Sequence, residues 1–296
     1  MTIIAGFRCF DGVVICADTQ ATVPGLSKKH VSKVHVEPFF RTDEDELVAA
    51  FCGAGDGPFI DMLTRKAWAA ASGERDIDAA CDAIEQRIKD VYKEYGAIYQ
   101  PGALPQVELI YGVKTEADNR LYHASGPIVN IVEEHCSGGA GYYMADFLTA
   151  RMHSRSLSLH QLVILAAYIL FQAKEHVDGC GGESHIAILR NSGKSGLLDP
   201  NRVLAITGLV DSVDHQLGQL LLEASVLTDE WNTDSQKRIG HLNSTINFLR
   251  QRAQDNLASA KALQIMPTIN DDEYGFGDYD SELFMPSDPQ TSEDPQ

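Results

Sequence analysis

Two pairs of long amphipathic stretches, each set between groups of short apolar runs, constrain this 296-residue chain more than any other feature. The apolar runs come first. Residues 2–9 and 13–17 flank Asp11-Gly12, a strong hairpin signal because both residues tolerate the left-handed backbone of a tight turn. Residues 31–36, with Val31, Val34 and Val36 among polar neighbours, read as a further strand. Residues 46–52 form another, ending in the turn Gly53-Ala54-Gly55-Asp56-Gly57. Helices are expected over 58–71 and 76–95, the second with Ile77, Ala80, Cys81, Ile84, Ile88, Val91 and Tyr95 along one face. Strands return at 107–113, 120–124 and 128–133, followed by a glycine-rich turn at 137–141 and a helix at 142–152. Ser158-Leu159-His160-Gln161 is a capping-box pattern that opens a strongly apolar helix to about residue 177, and 183–190 is a last clear strand. Paired helices between groups of strands imply two antiparallel sheets stacked between helical layers. The expected class is α+β, a four-layer αββα sandwich, not an alternating parallel array.

The character changes beyond Pro200. A strand is expected at 203–209 and helices at 213–226 and 239–263, the latter with Leu242, Ile246, Leu249, Ala253 and Leu257 in a stripe suited to docking. Residues 267–296 hold nine acidic side chains and no Lys or Arg, half of the formal charge of −18, and their Pro, Gly, Asp and Ser content predicts disorder. Three parts follow: a domain over 1–200, a mainly helical C-terminal extension over 201–266 that clasps a neighbour or packs on its own domain, and an acidic tail over 267–296. The negative balance argues against a nucleic-acid partner, whose phosphates need a basic face. The N-terminus lacks the basic and long apolar regions of a signal peptide, and the longest greasy stretch, 162–171, is too short to span a bilayer. Six cysteines without CxxC pairs read as reduced thiols of a cytoplasmic protein. The ten histidines show no metal-ligand spacing, so neither a structural metal nor a cofactor is expected.

The chemistry concentrates at the start of the chain. A threonine hydroxyl attacks a carbonyl only if its proton is removed, and a terminal threonine's own α-amine, with an ordinary pKa of about 7.7–8, can do this. Thr2 acquires such an amine once Met1 is cleaved, which its small side chain permits. A lysine nearby lowers the amine's pKa by like-charge repulsion, and a carboxylate holds that lysine in place. Asp18 ends the second expected strand and Lys33 lies on the third. A hairpin brings Asp18 beside Thr2, and the next strand can bring Lys33 between them.

Thr2-Ile3-Ile4-Ala5-Gly6, followed by Asp11-Gly12-Val13-Val14-Ile15-Cys16-Ala17-Asp18-Thr19-Gln20-Ala21-Thr22, resembles the opening of proteasome β subunits and the bacterial HslV peptidase. Val31-Ser32-Lys33-Val34 resembles the strand bearing their catalytic lysine, with Lys28 and Lys29 as alternatives. The resemblance covers roughly residues 2–190 and implies the N-terminal-nucleophile (Ntn) hydrolase fold. It implies that Thr2 is nucleophile and amine base, that Lys33 tunes the amine, and that Asp18 orients Lys33. The Cys52-Gly53-Ala54-Gly55-Asp56 turn resembles the one that forms an oxyanion hole, with either Gly53 or Cys52 supplying the N–H. Two departures stand out. The family's Gly-Ser-Gly turn is matched at Gly139 or Ala140, neither of which has a hydroxyl, so Ser137 just upstream is the substitute. Its Asp-x-x-Ser-Gly-Gly stretch is matched by Val177-Asp178-Gly179-Cys180-Gly181-Gly182, leaving Glu175 or Asp178 to supply the carboxylate from a neighbouring position. Thr19, Gln20, Ala21, Thr22 and Cys52 are the expected substrate pocket. The implied function is a threonine-type peptidase acting on peptides or unfolded proteins through an acyl-enzyme, inside a homo-oligomeric ring, with an ATP-dependent unfoldase as a further possible partner. A non-catalytic scaffold subunit and an amidase for small molecules are the alternatives.

Overall fold

Strand β1 (Ile3–Cys9) turns through Phe10 and Asp11 into β2 (Gly12–Asp18), with Cys9 paired to Gly12. The computed structural model describes residues 2–23, 27–37, 47–99, 103–154 and 156–224, with isolated positions between 237 and 251. Gly12 therefore stands one place past the loop, inside the strand. A Cβ there would lie 2.1 Å from the Leu189 carbonyl oxygen, so close strand approach requires the glycine.

The strands β3 (Gln20–Val23) and β4 (Ser27–His30) make a small separate hairpin. After β5 (Val34–Glu37) and β6 (Val48–Ala54) come helices α1 (Gly57–Ala71) and α2 (Ile77–Gly96). Asp56 and Asp76 cap these helices, accepting from the N–H groups of Phe59 and Ala79. Strands β7 (Glu108–Lys114), β8 (Asn119–Ser125), β9 (Ile128–Val132) and β10 (His135–Gly139) lead to helices α3 (Tyr142–Met152) and α4 (Leu159–His176). The capping box at Ser158 is formed reciprocally with Gln161. Strands β11 (Ser184–Arg190) and β12 (Gly196–Leu197) and helix α5 (Pro200–Ala224) close the described part.

Two five-stranded sheets result, ordered β10-β1-β2-β11-β12 and β5-β6-β7-β8-β9, with every pairing antiparallel. The period of two along each strand sends alternate side chains to different cores. From β1, Ile3, Ala5, Phe7 and Cys9 join a cluster with α3 and α4, while Ile4 joins another made from strands of both sheets. From β6, Ala49 and Phe51 pack with α1 and α2, while Val48, Ala50 and Cys52 join the same inter-strand cluster. The architecture is mixed α/β, with antiparallel sheets and five helices among the described residues.

Several expected elements shift. Residues 203–209 form part of α5, not a strand: Val203 is buried and Ile206 packs beside it at helical spacing on the α3–α4 cluster. A short run of apolar and β-branched residues cannot tell strand from helix by itself. Of the glycines expected as a turn at 137–141, Gly138 and Gly139 contribute to β10, because edge pairing with β1 tolerates them, while Gly141 is the N-cap of α3. Lys33 precedes β5 instead of lying within it. Helix α5 packs on its own domain, with the Asp214 carboxylate accepting from Tyr168 and Gln172 of α4. Of the helix expected at 239–263 only isolated positions are described; most of it, and all of 267–296, lies outside the described residues.

Candidate active site

The β1–β2 register, with Ile4 opposite Ala17, sets the start of β1 against Asp18. Asp18 is fully buried, and four donors converge on it. Its Oδ1 accepts from the Thr2 hydroxyl at 3.0 Å, the Ile3 N–H at 3.1 Å and Lys33 Nζ at 2.7 Å. Its Oδ2 accepts from the Gly181 N–H at 3.0 Å. A buried carboxylate needs such donors to offset its lost hydration. Lys33 also donates to the Gln20 carbonyl at 2.5 Å and to Thr2 Oγ1. The Lys33 side chain is 11% exposed. Burial holds its pKa below the ordinary lysine value, against the opposing pull of Asp18.

Backbone groups fix Thr2 from the other side. Its carbonyl accepts from the Gly141 N–H at 3.1 Å, and Gly139 pairs with Ile3. Gly139 has φ +75°, and a Cβ there would fall 2.4 Å from the Thr2 carbonyl oxygen and 3.1 Å from the Ala54 Cβ. Only glycine combines that conformation with that proximity. The Gly139 N–H donates to Glu108 Oε2 at 2.5 Å.

A second loop closes over Asp18. The Thr19 N–H donates to the Glu183 carbonyl, the Glu183 N–H donates back to Thr19 Oγ1 at 2.7 Å, and the Gln20 N–H donates to the Gly181 carbonyl. Lys174 from α4 donates to the Gly182 carbonyl at 3.3 Å. Cys180 lies within electrostatic reach of both Asp18 and Lys33. Burial first, and the Asp18 charge second, push its thiol up to about 11, so it stays protonated at neutral pH.

The structure thus brings Thr2, Asp18 and Lys33 together. Lys28 and Lys29 lie on β4 and are exposed. Gly53 lies in β6, paired with Leu109 and one residue beyond Cys52, which pairs with Val34 next to Lys33 in sequence. Thr19 and Gln20 are buried beside the trio, and Gln20 Nε2 has no hydrogen-bond partner among the described residues. Ala21 is half-buried, Thr22 is placed only by its backbone pairing with Lys28, and Cys52 points into the apolar cluster between strands. The Ser137 hydroxyl donates to Asp146 Oδ1 at 2.5 Å and to the Tyr142 carbonyl, toward α3 and away from Thr2. Glu175 and Asp178 are exposed and take no part in the hydrogen bonds around Asp18. The Gly181 N–H and the Gln20 carbonyl went unforeseen, because a backbone group leaves no mark in a side-chain pattern. Glu108 did leave one, as an acid within the apolar run Val107, Leu109, Ile110.

No protein-family model and no curated protein matches this chain. Solved structures do. Anbu (ancestral beta-subunit) from Yersinia bercovieri superposes with a TM-score of 0.60 at 12% identity, over 76% of this chain and 98% of that one. Anbu from Hyphomicrobium sp. strain MC1 gives 0.59 at 14% identity, covering 73% and 97%. A Gly-1 mutant of the latter gives 0.57 at 12%, covering 74% and 97%. At these identities the likeness is one of fold. It corrects the resemblance drawn from the N-terminal motif: the structural neighbours are Anbu proteins, proteasome-like but distinct from proteasome β subunits and HslV. The N-terminal hairpin motif and its acid–lysine pair are too short to separate such groups, whereas the superposition spans most of the chain.

Proposed function

We propose that this chain is a threonine-type N-terminal-nucleophile hydrolase that cleaves peptide bonds once Met1 is removed. The observation carrying this reading is the Thr2 hydroxyl held between buried Asp18 and Lys33. Removal of Met1 turns the Thr2 amide into a free amine, the local base that takes the hydroxyl proton. The oxygen then attacks the substrate carbonyl. The C–N bond breaks, the amine fragment leaves with the proton, and an ester joins the acyl group to Thr2 Oγ1. Water, deprotonated by the same amine, hydrolyses the ester and restores the hydroxyl. Lys33 keeps the amine's pKa low by charge repulsion, and Asp18 holds Lys33. The Gly53 N–H, one residue beyond the Val34–Cys52 pair, is the proposed donor to the oxyanion. Thr19, Gln20, Ala21 and Thr22 border the proposed substrate channel.

The layers of this enzyme are a four-layer αββα sandwich over 1–200, followed by an extension over 201–266 and an acidic tail over 267–296. Three clusters, one on each outer sheet face and one between strands of the two sheets, support that arrangement. A homo-oligomeric ring is supported by α3, which leaves Tyr142, Tyr143, Phe147 and Met152 exposed on one helix. A peptide or unfolded-protein substrate delivered by an unfoldase fits such a ring. A cytoplasmic site is supported by the six free cysteines. None of the described helices is long and apolar enough to cross a membrane.

The test is intact mass of the purified chain with and without a peptide epoxyketone, followed by mapping of the adduct. Loss of Met1 and an adduct on Thr2, absent in Lys33→Ala, is the expected result. A retained Met1, or a free Thr2 that never reacts, would overturn the reading in favour of a non-catalytic scaffold.

A further inference from the structure

At the end of β1 remote from Thr2, three ligand-bearing side chains meet. Phe7 pairs with His135 while Ile3 pairs with Gly139, so this place lies roughly 15 Å along the strand from the candidate active site. Glu134 precedes β10, His135 begins it, and His153 stands at the C-cap of α3. The rings of His135 and His153 have centroids 5.0 Å apart, and His153 Nδ1 lies 3.8 Å from Glu134 Oε2. One ligand atom from each residue, a ring nitrogen from either histidine and a carboxylate oxygen, lies within 4.8 Å of the others. The elements are firmly placed. The Glu134 carbonyl accepts from the Arg8 N–H at 2.7 Å, and the His153 N–H donates to the Thr149 carbonyl at 2.8 Å. His153 is 4% exposed in its side chain and lies over Phe7, with centroids 6.3 Å apart.

We propose that Glu134, His135 and His153 form a binding site for a divalent transition-metal ion of the zinc class. Two imidazoles and one carboxylate suit such an ion, whereas calcium and magnesium take oxygen ligands almost alone. Tetrahedral bonds of about 2.0–2.1 Å require donors about 3.4 Å apart. The three groups therefore close by roughly 1 Å on binding, a distance within reach of side-chain torsions. The exposed side of His135 leaves a fourth position to water. The site lies at the C-terminal end of α3, where the helix dipole presents its negative pole and favours a cation. A bound ion ties α3 to the turn between β9 and β10, far from Thr2, so its role is structural and independent of the chemistry proposed there. Sequence spacing does not disclose it, because β10 and the end of α3 meet only in the fold.

The experiment is calorimetric titration of the chelator-stripped full chain with zinc sulfate, beside His135→Gln, His153→Gln and the double variant. Melting curves are recorded with and without zinc. One saturable site, weakened at least about ten-fold in each single variant and lost in the double, is expected, with a zinc-dependent rise in melting temperature that the variants lack. His135 is exposed, so His135→Gln reports on binding even if His153→Gln fails to fold. Absence of saturable binding, or unchanged affinity in His135→Gln, overturns the proposal.

Discussion

The substitution Asp18→Asn preserves the shape of the most enclosed group in the candidate active site and removes its charge. Three donors, from Thr2, Ile3 and Lys33, share one carboxylate oxygen, and the Gly181 N–H takes the other. An asparagine has a single acceptor oxygen. If that oxygen serves the first three, its NH2 faces the Gly181 N–H; if it serves Gly181, the NH2 faces the lysine ammonium and the Ile3 N–H. Either orientation leaves at least one buried donor unpaired, costing about 1–3 kcal/mol. The Lys33 ammonium, 11% exposed, also loses its counter-charge. Breaking a buried ion pair from one side costs about 3–5 kcal/mol, a figure that includes such unpaired donors. The expected loss is therefore about 3–5 kcal/mol in urea unfolding monitored by fluorescence or circular dichroism. Adding Lys33→Met should recover about 1–3 kcal/mol of it, because the stranded charge is then gone. A loss below about 1 kcal/mol, the range of solvated surface pairs, with no recovery in the double variant, would refute the buried-pair account.

Gly139→Ala places a Cβ against the Thr2 carbonyl at a backbone φ of +75°, so a loss of at least about 2 kcal/mol is expected. Reactivity of Thr2 toward the epoxyketone should fall with it; an adduct formed at the wild-type rate would speak against the tight Gly139–Thr2 contact. Ser158→Ala removes the side-chain acceptor of the capping box on α4 while leaving the backbone N–H at 158 to donate to Gln161, and should cost about 1 kcal/mol in chemical denaturation, with Thr2 reactivity unchanged. Burial, reinforced by His35 and opposed by Glu183, holds the pKa of His185 below the ordinary histidine value. The unfolded chain therefore binds a proton that the folded chain refuses. The stabilisation is complete above about pH 6.5 and is lost as pH falls, with a slope of at most about 1.4 kcal/mol per pH unit. Melting temperatures recorded from pH 7.5 to 5 should fall less steeply for His185→Asn than for the wild type; parallel curves would contradict the burial of this ring.

The trio was legible because a hairpin is a local object. A turn near Asp11 and Gly12 and alternating apolar residues are enough to place Asp18 against the start of β1. The long helices were legible for the same reason, since capping at Asp56, Asp76 and Ser158 and their apolar stripes act within a few residues. Supporting groups were less so. Ser137 was a natural stand-in for a missing hydroxyl, but strand β10 pairs it opposite Ala5 and its hydroxyl turns to Asp146 on α3. Glu175 and Asp178 failed similarly, for the loop after α4 presents the Gly181 N–H to Asp18 and leaves both acids in solvent.

The sequence by itself determined the hairpin, the two pairs of helices, three of the four capped by a side chain, and the three polar residues at the head of the chain. The hairpin and the helices depend on backbone preferences and periodicities that operate over fewer than about twenty residues, whereas Lys33, 31 positions from Thr2, was singled out by the family resemblance. Only the tertiary structure decided that residues 203–209 lie within a helix, since the apolar surface offered by α4 favours helical spacing there over a strand. It alone set β10 along β1, brought Glu108 to Gly139 and placed His153 beside Glu134 and His135. Those contacts join residues far apart in the chain, and their energy comes from burial and hydrogen bonding realised when the sheets and helices pack together.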